Sequence, residues 1–170
     1  IKIAVTEYIK QIIGRTVDQF TVLSGLTAFI ISFLWMNFLR RFDVYETEKW
    51  KNLFAVFILG AISTYLVYPL GDALEYVMNF TFTSTDVLND FIYCFLVIGS
   101  VEELVKIVPF LFALRMFKFI NEPYDYILYG SISALGFAFM ENILYFNEYQ
   151  FHVIFIRTVY SVVGHMFWTS

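Results

Sequence analysis

FIYCFLVIGSVEELVKIVPFLFAL, residues 91–114, is an apolar run about long enough to cross a bilayer as a helix, yet it carries Glu102, Glu103 and Lys106 near its middle. Insertion scales put each charge at a helix centre at roughly 2.5–3.5 kcal/mol. A segment needed only as an anchor would not hold three of them. Lys106 lies one helical turn beyond Glu102 and three residues beyond Glu103, so it can neutralise either acid but not both. One carboxylate is left to find a proton, a metal or another helix.

The rest of the chain has the same character. Hydrophobic residues make up 59% and charged residues only 15%, which excludes a soluble globular domain. The sequence predicts an all-α, polytopic integral membrane helical bundle, residues 1–170 forming a single transmembrane domain. The formal net charge of −4 says little, because placement of charge matters more than its sum here. No nucleic-acid partner is expected. Cys94 is the only cysteine, which excludes an intrachain disulfide. IKIAVTEYIK at the start lacks the continuous apolar core of a cleavable signal peptide. The chain begins without Met and stops at Ser170 inside an apolar stretch, so a fragment with a missing C-terminal part is expected.

Five transmembrane helices are predicted, over residues 20–39, 53–70, 91–114, 126–146 and 151–170. Arg40 and Arg41 stop the first, and the second ends near Pro69 and Gly71. Residues 1–19 place Ile9, Ile12 and Ile13 at helical spacing among polar residues, the pattern of an interfacial amphipathic helix or the tail of an upstream segment. Residues 79–90 are polar and rich in Thr, hence an exposed loop; its Asn79-Phe80-Thr81 sequon is a weak signal. Basic residues fall in the loops after the first helix (Arg40, Arg41, Lys49, Lys51) and the third (Arg115, Lys118), which makes those loops cytoplasmic and residues 79–90 external. Lys2, Lys10 and Arg15 argue the other way for the N-terminus, whose side stays open. Pro109 is expected to bend the third helix by freeing the carbonyl of Val105.

The fourth and fifth segments carry stripes. Gly130, Ala134 and Ala138 fall four residues apart, small residues that let another helix come close. Beside them run Ser133, Phe137 and Glu141, and Asn142 ends the small stripe. In the fifth segment Arg157, Ser161, His165 and Thr169 form one polar stripe. Lipid would accept none of Glu102, Glu103, Lys106, Glu141, Asn142, Arg157 and His165, so they belong in a protein interior.

Glu102-Glu103-x-x-Lys106, an Asp125-Tyr-Ile-x-Tyr-Gly130 run leading to Gly136-Phe-Ala-Phe-x-Glu141-Asn142, then Arg157 followed eight residues later by His165, resembles the PrsW family of intramembrane proteases. The resemblance covers Val101 to Thr169 and does not extend to the first half of the chain. The layout is also similar to the wider group that holds the CAAX prenyl proteases and bacteriocin-processing enzymes. There the middle element is Phe-x-x-x-His; here it is Phe137-x-x-x-Glu141, which favours PrsW. The family pattern adds a histidine on a following helix, beyond Ser170. What the resemblance implies is an intramembrane protease in the cell membrane, acting on a membrane-protein or peptide substrate. Glu102, Glu103, Glu141 and His165 would be the reactive cluster, supported by Lys106, Asn142 and Arg157.

Two chemistries suit such a cluster. Carboxylate and imidazole can hold a metal with an open position, zinc being the expected ion and Glu103, Glu141 and His165 the expected ligands. Alternatively a buried carboxylate, Glu102 or Glu103, takes the proton of water directly, with Glu141 and His165 as oxyanion partners and Asn142 as a donor. Simpler roles stand beside these. Lys106 can merely neutralise Glu102, Glu141 can merely pair with Arg157, and His152 reads as an interface residue. Counted from the helix ends at ~1.5 Å per residue, Glu141 and Arg157 lie roughly 9 Å deep but His165 near 20 Å, so a single cluster is not assured. An ion- or proton-coupled transporter or channel, or a non-catalytic membrane scaffold, would use the same residue types. No His-Glu-x-x-His or Gly-x-Ser-Gly motif is present. Oligomeric state is not legible.

Overall fold

The computed structural model describes residues 19–43, 46–79, 81–83, 85–116, 120–149, 153 and 156–169. All regular structure among them is helical. Helix α1 is Gln19–Arg40. Helix α2 runs through Trp50–Ser63, a 3-10 turn at Thr64–Leu66 and Val67–Met78. Helix α3 joins Val87–Ile92, a π-helical stretch Tyr93–Gly99 and Ser100–Met116. Helix α4 is Pro123–Tyr149, and α5 joins π-helical Arg157–Ser161 to Val162–Thr169. The expected amphipathic segment 1–19, with Lys2, Lys10 and Arg15, lies outside the described residues apart from Gln19, and so does His152.

Among the described residues three helices, Thr21–Arg40, Trp50–Met78 and Pro123–Phe146, are long and apolar enough to cross a membrane, where five were expected along the whole chain. The difference has a cause in α3, whose Glu102, Glu103 and Lys106 load its apolar run with charge. In α5 the described helix is short. The outward faces of α1 and α2 are apolar (Leu26, Ile30 and Leu34; Ile58 and Ile62), the composition of helices set in lipid rather than water.

Two boundaries differ from those expected. Helix α2 does not end near Pro69 but continues to Met78. Pro69 lacks an N–H and leaves the carbonyl of Tyr65 unpaired in an α-helix; the chain tightens into the 3-10 turn there and goes on. It stops at Asn79, whose φ of 50° is left-handed and whose N–H donates to the carbonyl of Glu75. Helix α3 starts at Val87 rather than residue 91, because the Asp86 carboxylate accepts the N–H groups of Leu88 (3.0 Å) and Asn89 (3.3 Å). Pro109, buried, is accommodated inside α3, which runs on to Met116.

Helix α4 is the centre: 67% of its apolar window is buried, against 28% for α1 and 33% for α2. It packs on α1, α2, α3 and α5. Asp125, in its first turn, accepts the N–H groups of Asn121 and Glu122, both at 2.9 Å, and Tyr124 donates its hydroxyl to the carbonyl of Leu39 at 2.7 Å. Gly130, Ala134 and Ala138 are buried, as a small stripe should be. The closest backbone approach lies elsewhere, between α2 and α4. A Cβ on Gly136 would collide with the carbonyl of Phe57, and one on Gly60 with the carbonyl of Ser133.

Gly60→Ala and Gly136→Ala are therefore expected to lower the stability of the detergent-solubilised protein by about 3 kcal/mol each, the upper range for overpacking. Gly25→Ala, where an added Cβ meets nothing within 4 Å, should leave it unchanged or raise it by about 0.5–1 kcal/mol through helix propensity. Thermal unfolding of the three variants checks this; equal midpoints would contradict the close α2–α4 approach.

Candidate functional site

One stripe of α4 organises the polar interior. Ser133, Phe137 and Glu141 stand four residues apart on the same face, and each meets a different part of α3 or α5. The Ser133 hydroxyl donates to the carbonyl of Lys106 at 2.8 Å. Phe137, 1% exposed, lies between two polar side chains: Lys106 Nζ is 4.8 Å from its ring centre and the His165 ring 5.7 Å. A cation over a ring face is attracted by the ring quadrupole, so Phe137 helps hold Lys106 in place.

On the α3 side, fully buried Lys106 pairs with Glu103 at 2.6 Å and stands 3.7 Å from Glu102. The two acids do not share one environment. The Glu103 side chain is 39% exposed and committed to the lysine, whereas that of Glu102 is 22% exposed and lines a cavity of about 270 Å³ between α2, α3 and α4. Glu141 lines the same cavity. Of the two acids, Glu102 is the one that lines this cavity.

On the α5 side, one oxygen of Glu141, Oε2, receives both Arg157 Nη2 at 2.9 Å and His165 Nε2 at 2.8 Å. Arg157 Nε also donates to Asn142 Oδ1 at 2.8 Å, and its guanidinium lies over the Tyr145 ring at 3.8 Å. Counting residues placed His165 some 11 Å deeper than Glu141, a separation the structure does not have. Depth was counted from an α4 end at residue 146, whereas the helix runs on to Tyr149. The Glu141–Arg157 pairing is present, but as part of a four-residue network rather than as a simple ion pair. Asn142, fully buried, has an amide nitrogen with no hydrogen-bond partner, an available donor beside the carboxylate.

Among the described residues no three His, Cys, Asp or Glu side chains gather closely enough to hold a metal ion. Of the expected zinc ligands, Glu141 and His165 adjoin, but Glu103 is turned to Lys106 instead. A structural or catalytic zinc site uses at least three protein donors, so the described residues do not by themselves fit one. The sequence reading also missed part of the cavity wall. Asp72 and Glu75 line it from the second half of α2, and Thr64 from the 3-10 turn. The spacing of Tyr68, Asp72 and Glu75 (i, i+4, i+7) was visible, but an end placed at Pro69 hid it.

An all-helical membrane bundle with a buried Glu-His-Arg-Asn cluster beside an acid-lined cavity is the class of molecule this geometry defines. The model of the PrsW family of intramembrane metalloproteases matches residues 48–170. The chain belongs to that family. It is 34% identical over 119 residues to Protease PrsW of Oceanobacillus iheyensis, covering 70% of this chain and 52% of that protein. It is 30% identical over 147 residues to Protease PrsW of Bacillus subtilis, covering 86% of this chain and 63% of the relative. Protease PrsW of Clostridioides difficile is 32% identical over 146 residues, 83% of this chain and 59% of its own length. The chain thus spans little more than half the length of the curated relatives it matches. No solved structure matches it.

The network makes a thermodynamic prediction. Removing one partner of a buried pair leaves the other charge uncompensated, which costs about 3–5 kcal/mol. Arg157→Met should therefore destabilise the protein by about 3 kcal/mol, while Arg157→Met combined with Glu141→Gln recovers most of that loss. A double-mutant cycle on thermal unfolding reads the coupling; additive losses would show that the two side chains do not interact.

Proposed function

We propose that this chain carries the hydrolytic site of a multi-pass intramembrane protease of the cell membrane, which cuts a peptide bond of a membrane-protein or peptide substrate within or near the bilayer. The observation that supports it best is that Glu102 and Glu141 face one cavity from two helices, with Glu141 held by Arg157 and His165. A carboxylate within reach of a water beside a substrate carbonyl is what general-base hydrolysis requires.

In this reading a water sits between Glu102 and the substrate carbonyl. Glu102 takes one of its protons as the oxygen bonds to the carbonyl carbon, giving a tetrahedral oxyanion. The proton then passes from Glu102 to the amide nitrogen, the C–N bond breaks, and a carboxylic acid and an amine leave. Glu141 stands opposite, its charge met by Arg157 and its oxygen bonded by His165, so that the site can hold a second negative oxygen without two unshielded carboxylates facing each other. The unpartnered amide nitrogen of Asn142 is positioned to join that stabilisation. Lys106 keeps Glu103 out of the chemistry by pairing with it. Zinc held at this position would take Glu141 and His165 as two donors and needs a third from outside the described residues; no step above runs through it.

Transport is the rival use of buried charge. A transporter needs a polar route to both faces. Here α4 is buried without interruption from Leu128 to Ala138, which favours a dead-ended site over a conduit.

The test is a pair of isosteric changes in the full-length protein. Glu102→Gln should reduce cleavage of a membrane-anchored substrate by about 100-fold or more, with the unfolding midpoint held or raised. Glu103→Gln takes the nearer partner from buried Lys106, so it should lower the unfolding midpoint while the folded protein keeps far more activity than Glu102→Gln. Near-normal cleavage by Glu102→Gln would remove the base from this mechanism.

A further inference from the structure

Gly60, Gly71 and Gly136 of α2 and α4 serve two different ends. Gly60 and Gly136 lie where the two helices touch, and a Cβ on either would strike backbone. Gly71 has no such neighbour: an added Cβ would meet nothing within 4 Å. Glycine weakens a helix interior, and close packing does not account for this one. Gly71 is also the one glycine among the described residues that line the cavity faced by Glu102 and Glu141.

Its neighbours show which way the gap opens. Val67, Gly71 and Leu74 stand at i, i+4 and i+7 within the α-helical Val67–Met78 and so share one face. Val67 and Leu74 pack against the cluster of Val101, Val105 and Phe137. Between them Gly71 presents bare backbone where a side chain would otherwise reach toward α3 and α4. The space left there is walled by Val97, Ile98 and Val101 of α3 and by Phe137 and Leu144 of α4. The cavity holds about 270 Å³, well above the ~150 Å³ of an apolar cavity that takes up benzene. That is room for a large apolar side chain beside the two carboxylates.

Resting on the hydrolase reading above, we propose that Gly71 is a specificity-determining residue, and that the gap it leaves between Val67 and Leu74 receives a large apolar side chain of the substrate next to the bond that is cut. The gap and the carboxylates belong to one cavity, so a side chain seated in the gap brings its own backbone to Glu102. A leucine or phenylalanine fills the space and removes apolar surface from water. An alanine leaves it part empty, and a lysine would lose its hydration against these walls. The recognised substrate is thus a membrane segment with a bulky apolar residue within about two positions of the cut.

The experiment uses the full-length protein in nanodiscs and membrane-anchored peptides with an alanine-rich segment, one position of which carries phenylalanine, alanine or lysine. Cut sites are mapped by mass spectrometry and kcat/KM is read for each peptide. Phenylalanine should exceed alanine by about tenfold or more and exceed lysine as well, and the cut should follow the phenylalanine as it is moved. Gly71→Ala should shrink the phenylalanine-to-alanine ratio and Gly71→Leu bring it to about one, with the unfolding midpoint held or raised. Gly25→Leu, equally open but outside the cavity, should leave the ratio as it was. A merely structural role for Gly71 would change all peptides alike and not their ratio. Equal cleavage of phenylalanine and alanine peptides, or a preference that survives Gly71→Leu, overturns the proposal. If nothing is cut, benzophenone-alanine scanned along the same segment reads occupancy instead. A cross-link to residues 97–101 that Gly71→Leu removes would leave the pocket standing and remove the hydrolase, and its absence at every position overturns the pocket too.

Discussion

The structure depends on one carboxylate oxygen. Glu141 Oε2 holds Arg157 and His165 of α5 at 2.9 and 2.8 Å, on side chains that are 13–15% exposed. Three ionisable groups so deep in an apolar bundle persist only if they satisfy one another. Their mutual requirement fixes α5 against α4 in register and rotation, a task that apolar packing between smooth helices does poorly when lipid is as apolar as the core. The same demand repeats one turn away, where Lys106 is fully buried and must take Glu103, leaving Glu102 to face the cavity. The Phe137 ring separates these two clusters.

The packing of α2 onto α4 serves that arrangement. Gly60 and Gly136 let two backbones touch, drawing α2 in so that its continuation past Pro69 can form the far wall of the cavity. The π-helical stretches of α3 and α5 sit just before Glu102 and His165 respectively. An extra residue in a helical turn re-phases the face that follows, and such turns are common where a side chain must be aimed. The bundle thus spends helical regularity at the points where its charged residues need direction.

Much of this was legible beforehand, and the reasons are physical. Charge in an apolar run is costly enough that Glu102, Glu103, Lys106, Glu141, Arg157 and His165 announce an interior, and fourfold spacing tells which residues share a face. The Ser133–Phe137–Glu141 stripe was therefore readable as a unit, and so was the family resemblance it carries. The choice between Glu102 and Glu103 was not, because both lie within a turn of Lys106 and only the third dimension separates them. Depth counting separated His165 from Glu141, which meet at 2.8 Å, because it took helix ends from the sequence, and α4 runs on to Tyr149. The cavity wall formed by Asp72 and Glu75 was hidden by treating Pro69 as an end, when a 3-10 turn upstream absorbs the missing hydrogen bond.

The central claim is that His165 and Glu141 meet directly, since cluster, cavity and proposed chemistry all hang on that contact. Solid-state NMR on the full-length protein in lipid, labelled with 15N-histidine and 13C-carboxyl glutamate, measures it. The account predicts strong dipolar dephasing between a histidine ring nitrogen and a glutamate carboxyl carbon, at a separation under about 4 Å, and its disappearance in Glu141→Gln. A His165 resonance that shows no such dephasing in the native protein would contradict the arrangement on which the site is built.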